Sequence, residues 1–396
     1  MRYFLANNFV LKRLETPAIY DIREDELYEL DESAFEFLNK CAVTEGCNGD
    51  DADKEFVGYC LSEGILSEAP ASIIRSRPGF LGGGLPARSL RYLEMQITDR
   101  CNLKCKHCYI DQPGSNELPV ETIRGILDEF ESMQGLRLLI TGGEPVVHRD
   151  FGTINALLPH YGFRKILFTN GLLLSKVVLE RLNVDEIQFS VDGMERGHDA
   201  LRGEGTYKKV IRAIRRVLGS GITVSVATMV HRTNVREFAA MEELFKSMGI
   251  RDWTVDVPCL TGRLKHNTPF YVPPDITGQY LNYGFGGGMH GGGEGYACGH
   301  HLLSVLANST VAKCAFYAHT PLGKVSEGLQ ECWARLKPVK LEALQCSGDA
   351  CAVIDACRGG CRYRASLSGG QGEGGQNKRD IYKCFAYGIL KKQVKG

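Results

Sequence analysis

The sequence predicts an α/β fold: a parallel sheet, open or closed as a partial barrel, between a small N-terminal module and a cysteine-rich C-terminal domain. Three observations predict it. Between residues 91 and 285, six short apolar runs alternate with helical stretches. Residues 1–75 read as strands followed by two short helices. Eight of the fifteen cysteines fall after residue 297, where helical periodicity fades.

Each element follows from its residues. In the first module, YFLANNFVLKRL and AIYDIRED alternate as strands, and LYEL adds another. Asp31 opens a helix over DESAFEFLNKCA, with acid in its first turn, and DKEFVGYCLSEG forms a second. Strands followed by short helices indicate a winged-helix-like unit. RSRPGFLGGGLPAR is rich in Gly and Pro, which places a linker at 76–90.

The strands of the core (91–285) are YLEMQIT, LRLLI, KILFTN, EIQFSVD, ITVSVATMV and WTVDVP. PVETIRGILDEFESM, TYKKVIRAIRRVLGS and NVREFAAMEELFKSM are helices between them. Six such units make a partial (β/α)6 TIM-like barrel, with catalytic groups expected on loops after the strand C-termini. In 286–396, GFGGGMHGGGEG and GGQGEGG interrupt any long element. A region with so little core is expected to rely on metal crosslinks.

Charge and composition exclude several classes. With 47 basic and 47 acidic residues the net charge is zero, against the basic excess that nucleic-acid binding requires. No apolar run reaches the roughly 18 residues of a membrane span, and the first residues lack a signal-peptide core. Many cysteines without an export signal point to metal rather than disulfides. Cys41, Cys47 and Cys60 read as buried thiols on helices.

TDRCNLKCKHCYI sets Cys101, Cys105 and Cys108 at C-x3-C-x2-C on the loop after the first core strand. Three thiolates can hold three irons of a [4Fe–4S] cluster and leave the fourth open to a small molecule. A structural zinc site wants four closed ligands, which this loop does not offer. With Tyr109 after Cys108, the motif resembles that of the radical SAM superfamily. The resemblance implies that the open iron binds S-adenosylmethionine and that its reductive cleavage yields a 5′-deoxyadenosyl radical. That radical abstracts a substrate hydrogen. It further implies a reductant such as flavodoxin or ferredoxin and a cytoplasmic location. ITGGEP (Gly142, Gly143, Glu144) follows the second strand, and its glycines would let backbone approach a ligand closely. Asn170 ends the third strand, Ser190 and Asp192 the fourth, and Arg202 lies in the following segment. By the resemblance, Glu144 meets the cofactor's amino group, Ser190 its ribose or carboxylate, and Arg202 its carboxylate.

The tail cysteines resemble the SPASM domain of radical SAM peptide-modifying enzymes, which implies two auxiliary [4Fe–4S] clusters. One would be held by Cys346, Cys351, Cys357 and Cys384, the other by Cys298, Cys314 and Cys361. Two departures stand out. Ser309 replaces the usual Gly, and four residues rather than two separate Cys346 from Cys351. The fourth ligand of the second cluster is open among Cys259, Cys332, His300 and His301, or that position is open to substrate. Cys259 is also a candidate thiol donor in catalysis, or a packed structural residue. Residues 2–65 resemble the PqqD-like fold, which implies recognition of a precursor peptide's leader by strand addition.

Together the resemblances imply a maturase of a ribosomally made peptide that forms a thioether or carbon–carbon link, or epimerises a residue. A sulfatase-maturase-like enzyme is a second reading, although Ala315 stands where that subfamily carries an acid. Chemistry on a tetrapyrrole or quinone precursor is a third, and a non-catalytic peptide binder or electron carrier a fourth.

Overall fold

Six parallel strands, joined by helices, build the centre of the molecule. The computed structural model describes residues 2–43, 45–49, 53–69, 85–110, 114–287, 293–367 and 375–391. The linker expected at 76–90 lies outside the described residues up to 84, as do parts of both glycine-rich tail segments.

The N-terminal module begins with β1 (Arg2–Leu5), β2 (Phe9–Arg13), β3 (Pro17–Asp21) and β4 (Glu26–Glu29). α1 (Glu32–Cys41) starts where the acidic turn predicts, with Asp31 accepting from the Ala34 amide. β5 (Cys47–Asn48), α2 (Lys54–Ser62) and β6 (Leu66–Ser67) complete it. β2, β3 and β4 form an antiparallel meander, and β1 pairs with β5 and β6.

The cysteine reading needs correction here. Cys41 and Cys47 form a disulfide across a Cα–Cα distance of 4.5 Å, leaving Cys60 as the module's buried thiol. Cys47 lies on a strand, not a helix. The return through Gly46 (φ 65°) packs so tightly on Tyr3 and Phe4 that β5 is drawn back beside the end of α1.

The core strands are β7 (Tyr92–Thr98), β8 (Arg137–Gly142), β9 (Arg164–Thr169), β10 (Glu186–Ser190), β11 (Thr223–Met229) and β12 (Asp252–Asp256). They are parallel and adjacent in chain order. α3 (Val120–Ser132), α4 (Phe151–Leu157), α5 (Lys176–Leu179), α6 (Glu195–Arg202), α7 (Thr206–Leu218) and α8 (Phe238–Met248) connect them. The third expected helix starts at Phe238, later than its periodicity suggests, because Asn234 caps a turn at His231 instead. Apolar faces of α3, α7 and α8 bury Phe130, Ile214 and Phe245 against the sheet.

The tail holds more core than expected. β13 (Tyr296–Cys298) pairs apart from the main sheet, but β14 (Leu302–Val305) runs parallel to β7 and extends it. β15 (Thr310–Ala312) and β16 (Gly323–Lys324) follow antiparallel, giving nine strands. Leu303, Val305, Val311 and Leu329 join the main core, so residues 302–336 fold by ordinary burial.

The N-terminal module closes the lower end of the barrel. Asp25, in a left-handed turn (φ 67°), accepts from Arg137 Nε at 2.7 Å. Arg164 donates to the Ile22 carbonyl at 2.6 Å and pairs with Glu186 at 2.8 Å. Leu136 packs into the module's apolar cluster around Val10 and Tyr20.

Candidate functional site

At the upper end, the loop after β7 carries Cys101, Cys105 and Cys108 to one side of a cavity of about 360 Å³. That size falls in the range of small-molecule sites. The loop is held from two sides. Lys106 N donates to Leu201 O at 2.9 Å, and Arg263 N donates to Cys108 O at 2.9 Å. Gly262 (φ 50°) lies so close that a Cβ would meet Cys108 O at 2.3 Å. Burial pushes all three thiols up, Cys101 to about 11, so binding iron must displace protons.

Glu144, Asn170, Ser190 and Arg202 line the same cavity. Glu144 is buried and accepts from Thr169 Oγ1 at 2.7 Å and Asn170 N at 2.8 Å. Burial raises its carboxyl to about 7, against the pull of these two bonds. Asn170 Nδ2 also donates to Asn102 Oδ1, tying β9 to the cysteine loop at 2.8 Å. The close approach that Gly142 and Gly143 permit is to protein backbone. A Cβ on either would meet the carbonyl of Thr98 or Arg100 at 2.3 Å. Gly143 N and Glu144 N donate to these same carbonyls, which fixes Glu144 beside the start of the cysteine loop. Tyr109 OH accepts from Gln96 at 2.9 Å, and its ring packs on Phe316.

Arg202 is not a solvated charge. Its Nε donates to Asp192 at 2.5 Å and its Nη1 lies 3.9 Å from Cys105 Sγ. Burial opposes charge on Asp192, but Arg202 and His107 hold its carboxyl far below the usual range. His231 and Asn234 contact the Asp192 carbonyl, and Met229 N donates to its side chain.

The tail cysteines gather into two groups. Cys346, Cys351, Cys357 and Cys384 line one small cavity with Lys383. The two extra residues between the first pair are taken up by a turn through Ala350 (φ 47°), with Cys351 N donating to Cys346 O at 3.0 Å. Cys314 is within electrostatic reach of Cys298 and Cys361, and Cys259 of Cys361. Cys259 also lines the main cavity, so this second group adjoins the first site. Arg364 ties the region to the barrel, pairing with Asp256 of β12 at 2.5 Å and with Asp380 at 2.7 Å.

Three other candidate ligands lie elsewhere. Cys332 is fully buried in the main apolar core. His300 and His301 face Glu15. Among the described residues, no three cysteine sulfurs lie within 4.8 Å of one another. Thiolates on one zinc ion stand about 3.8 Å apart, from a Zn–S bond of about 2.3 Å.

Sequence reasoning missed Glu94. It points from β7 into the cavity, accepts from Ser304 Oγ, and lies 3.4 Å from the Ala315 amide. The available signal was alternation: Glu94 and Gln96 interleave with buried Leu93, Met95 and Ile97.

Residues 95–245 match the model of the Radical SAM superfamily. This segment is a radical SAM domain. Such a domain implies a [4Fe–4S] cluster and S-adenosylmethionine, and the three-thiol loop beside one cavity fits both. The Fe-coproporphyrin III synthase of Methanosarcina barkeri is 30% identical over 38% of this chain and 39% of its own length. Mycofactocin maturase MftC of Mycolicibacterium smegmatis is 28% identical over 70% of this chain and 79% of its own. The chain spans about half the length, or less, of the first curated relatives it matches. The crystal structure of Streptococcus suis SuiB bound to precursor peptide SuiA superposes with a TM-score of 0.66. That likeness covers 96% of this chain and 99% of SuiB at 15% identity, and shows a common fold. Among the described residues, no helix is long and apolar enough to cross a membrane.

Proposed function

We propose that the protein is a radical SAM maturase that modifies a ribosomally made peptide. One observation carries the reading: Cys259 lines the main cavity and stands within electrostatic reach of Cys361 in the tail. An electron acceptor beside the reacting cavity suits an oxidative crosslink, which must remove two electrons from substrate. The bound cofactor supplies the radical that takes a hydrogen atom. In this reading Cys101, Cys105 and Cys108 hold the catalytic cluster. Glu144 takes the cofactor's ammonium, while Arg202 and Ser190 take its polar groups. Cys259 completes the auxiliary cluster of Cys298, Cys314 and Cys361, which removes it as a thiol donor. Cys346, Cys351, Cys357 and Cys384 hold the other auxiliary cluster. The N-terminal module receives the leader, and a flavodoxin- or ferredoxin-type reductant delivers electrons.

The coverage of MftC, a maturase, and the peptide-bound SuiB fold support this choice. Chemistry on a tetrapyrrole is the second reading, favoured by the 30% identity to the coproporphyrin III synthase. Coexpression with a candidate precursor peptide separates them. Mass spectrometry showing loss of two hydrogens supports a crosslink. Unchanged mass with inverted chirality moves the reading to epimerisation. An unmodified peptide, with cofactor cleavage stimulated by a porphyrin, overturns it.

A further inference from the structure

Glu15, His300 and His301 bring their ligand atoms within 4.8 Å of one another, and they are the one such group among the described residues. They come from two distant parts of the chain, and a third part holds Glu15 in place. Glu15 follows β2 in the N-terminal module. The two histidines precede β14. Ser89 and Arg91, which hold Glu15, precede β7.

Each donor is set for coordination. His301 is buried, and its Nδ1 lies 3.2 Å from the Ser89 carbonyl. Donation there leaves Nε2 with a free lone pair, the arrangement that orients metal-bound histidines. His300 stacks on Tyr296 at 4.0 Å, and its buried Nδ1 has no hydrogen-bond partner. A buried nitrogen left unpaired costs about 1–3 kcal/mol, so such groups call for a partner. Glu15 accepts from Ser89 N at 2.8 Å, Ser89 Oγ at 3.0 Å and Arg91 at 2.7 Å. Ser89 Oγ is shared with the second Glu15 oxygen at 3.0 Å, and a metal bound at Glu15 would replace that bifurcated contact. Arg91 already faces Glu15, and Arg88 stacks on Trp333 and donates to its carbonyl.

We infer that Glu15, His300 and His301 form a mononuclear site for a borderline divalent cation, Zn²⁺ above all, which fastens the N-terminal module to the barrel. Two imidazoles and one carboxylate suit that ion class. The inference does not depend on the reaction proposed above.

The test uses holoenzyme reconstituted with iron and sulfide, so that the cysteine clusters are filled. It is equilibrated with Zn²⁺ alone and desalted. About one zinc per chain is expected in the parent protein. His300→Ala and His301→Ala should each retain at least tenfold less, with iron content unchanged. X-ray absorption at the zinc edge should show nitrogen and oxygen neighbours at about 2.0 Å. His300 is the less buried of the two, so its variant decides if His301→Ala does not fold. Absence of retained zinc in the parent overturns the inference. So does equal zinc in the His300 variant, or a sulfur shell at about 2.3 Å.

Discussion

Arg202 and Asp192 form an ion pair at 2.5 Å inside the cavity wall, with the guanidinium 3.9 Å from the Cys105 sulfur. Asp192 fixes Arg202 through Nε, leaving its remaining donors to face the cysteine loop and the cavity. Both side chains are nearly inaccessible, at 11% and 1% exposure. Removing one partner therefore strands a buried charge.

Asp192→Asn should destabilise the fold by about 3–5 kcal/mol, the cost of breaking a buried pair. Arg202→Lys should not rescue cofactor binding, because an ammonium cannot pair with Asp192 and reach the cavity at once. Chemical denaturation and equilibrium binding of S-adenosylmethionine read the two effects. Binding by Arg202→Lys equal to the parent would remove Arg202 from the cofactor site.

Glu144 gives a pH dependence. Its carboxyl is raised to about 7, so below that pH the empty site carries a neutral acid. A cationic ammonium favours the ionised form. Affinity should therefore rise up to about tenfold per unit as pH climbs towards 7, then level off. The stability term has the opposite sense: it is present below the unfolded carboxyl value and is lost as pH rises through about 7. Titrating cofactor binding between about pH 6 and about pH 8 tests this, with Glu144→Gln expected to give a flat profile.

Ser309 and Ala350 both adopt left-handed backbone, with φ of 63° and 47°. Ser309 closes the β14–β15 turn through its amide to Leu306 O. Side chains are disfavoured there. Ser309→Gly and Ala350→Gly should each stabilise by about 0.5–1 kcal/mol, read as a raised thermal midpoint.

Glu94 faces the cavity beside Ala315, the position where the sulfatase-maturase pattern carries an acid. If the proposed crosslink forms, a carboxylate supplied from β7 can accept the proton it releases. Glu94→Gln should keep 5′-deoxyadenosine formation and lose peptide product by about 10²-fold or more, the typical scale of general-base catalysis. Equal losses of both would make Glu94 structural.

Much of this architecture was legible in the sequence because core strands and helices differ in period. The three-cysteine loop was legible because its spacing is local. What escaped depends on chain return. LLSV is too short to announce that β14 joins β7, so the tail looked coreless. The Cys41–Cys47 bond arises from a turn at Gly46 that composition does not show. Cys259 stood alone in sequence, and only the fold brings it towards Cys361. The paired glycines before Glu144 did announce a close approach, but its partner is the Thr98–Arg100 backbone.

Iron content of the Cys101→Ala, Cys105→Ala, Cys108→Ala triple variant tests the three-cluster assignment most directly. Three filled clusters give about twelve irons per chain, and the variant should keep about eight while forming no 5′-deoxyadenosine. Iron that stays at about twelve, or falls to none, would contradict the division of the cysteines into one catalytic and two auxiliary sites.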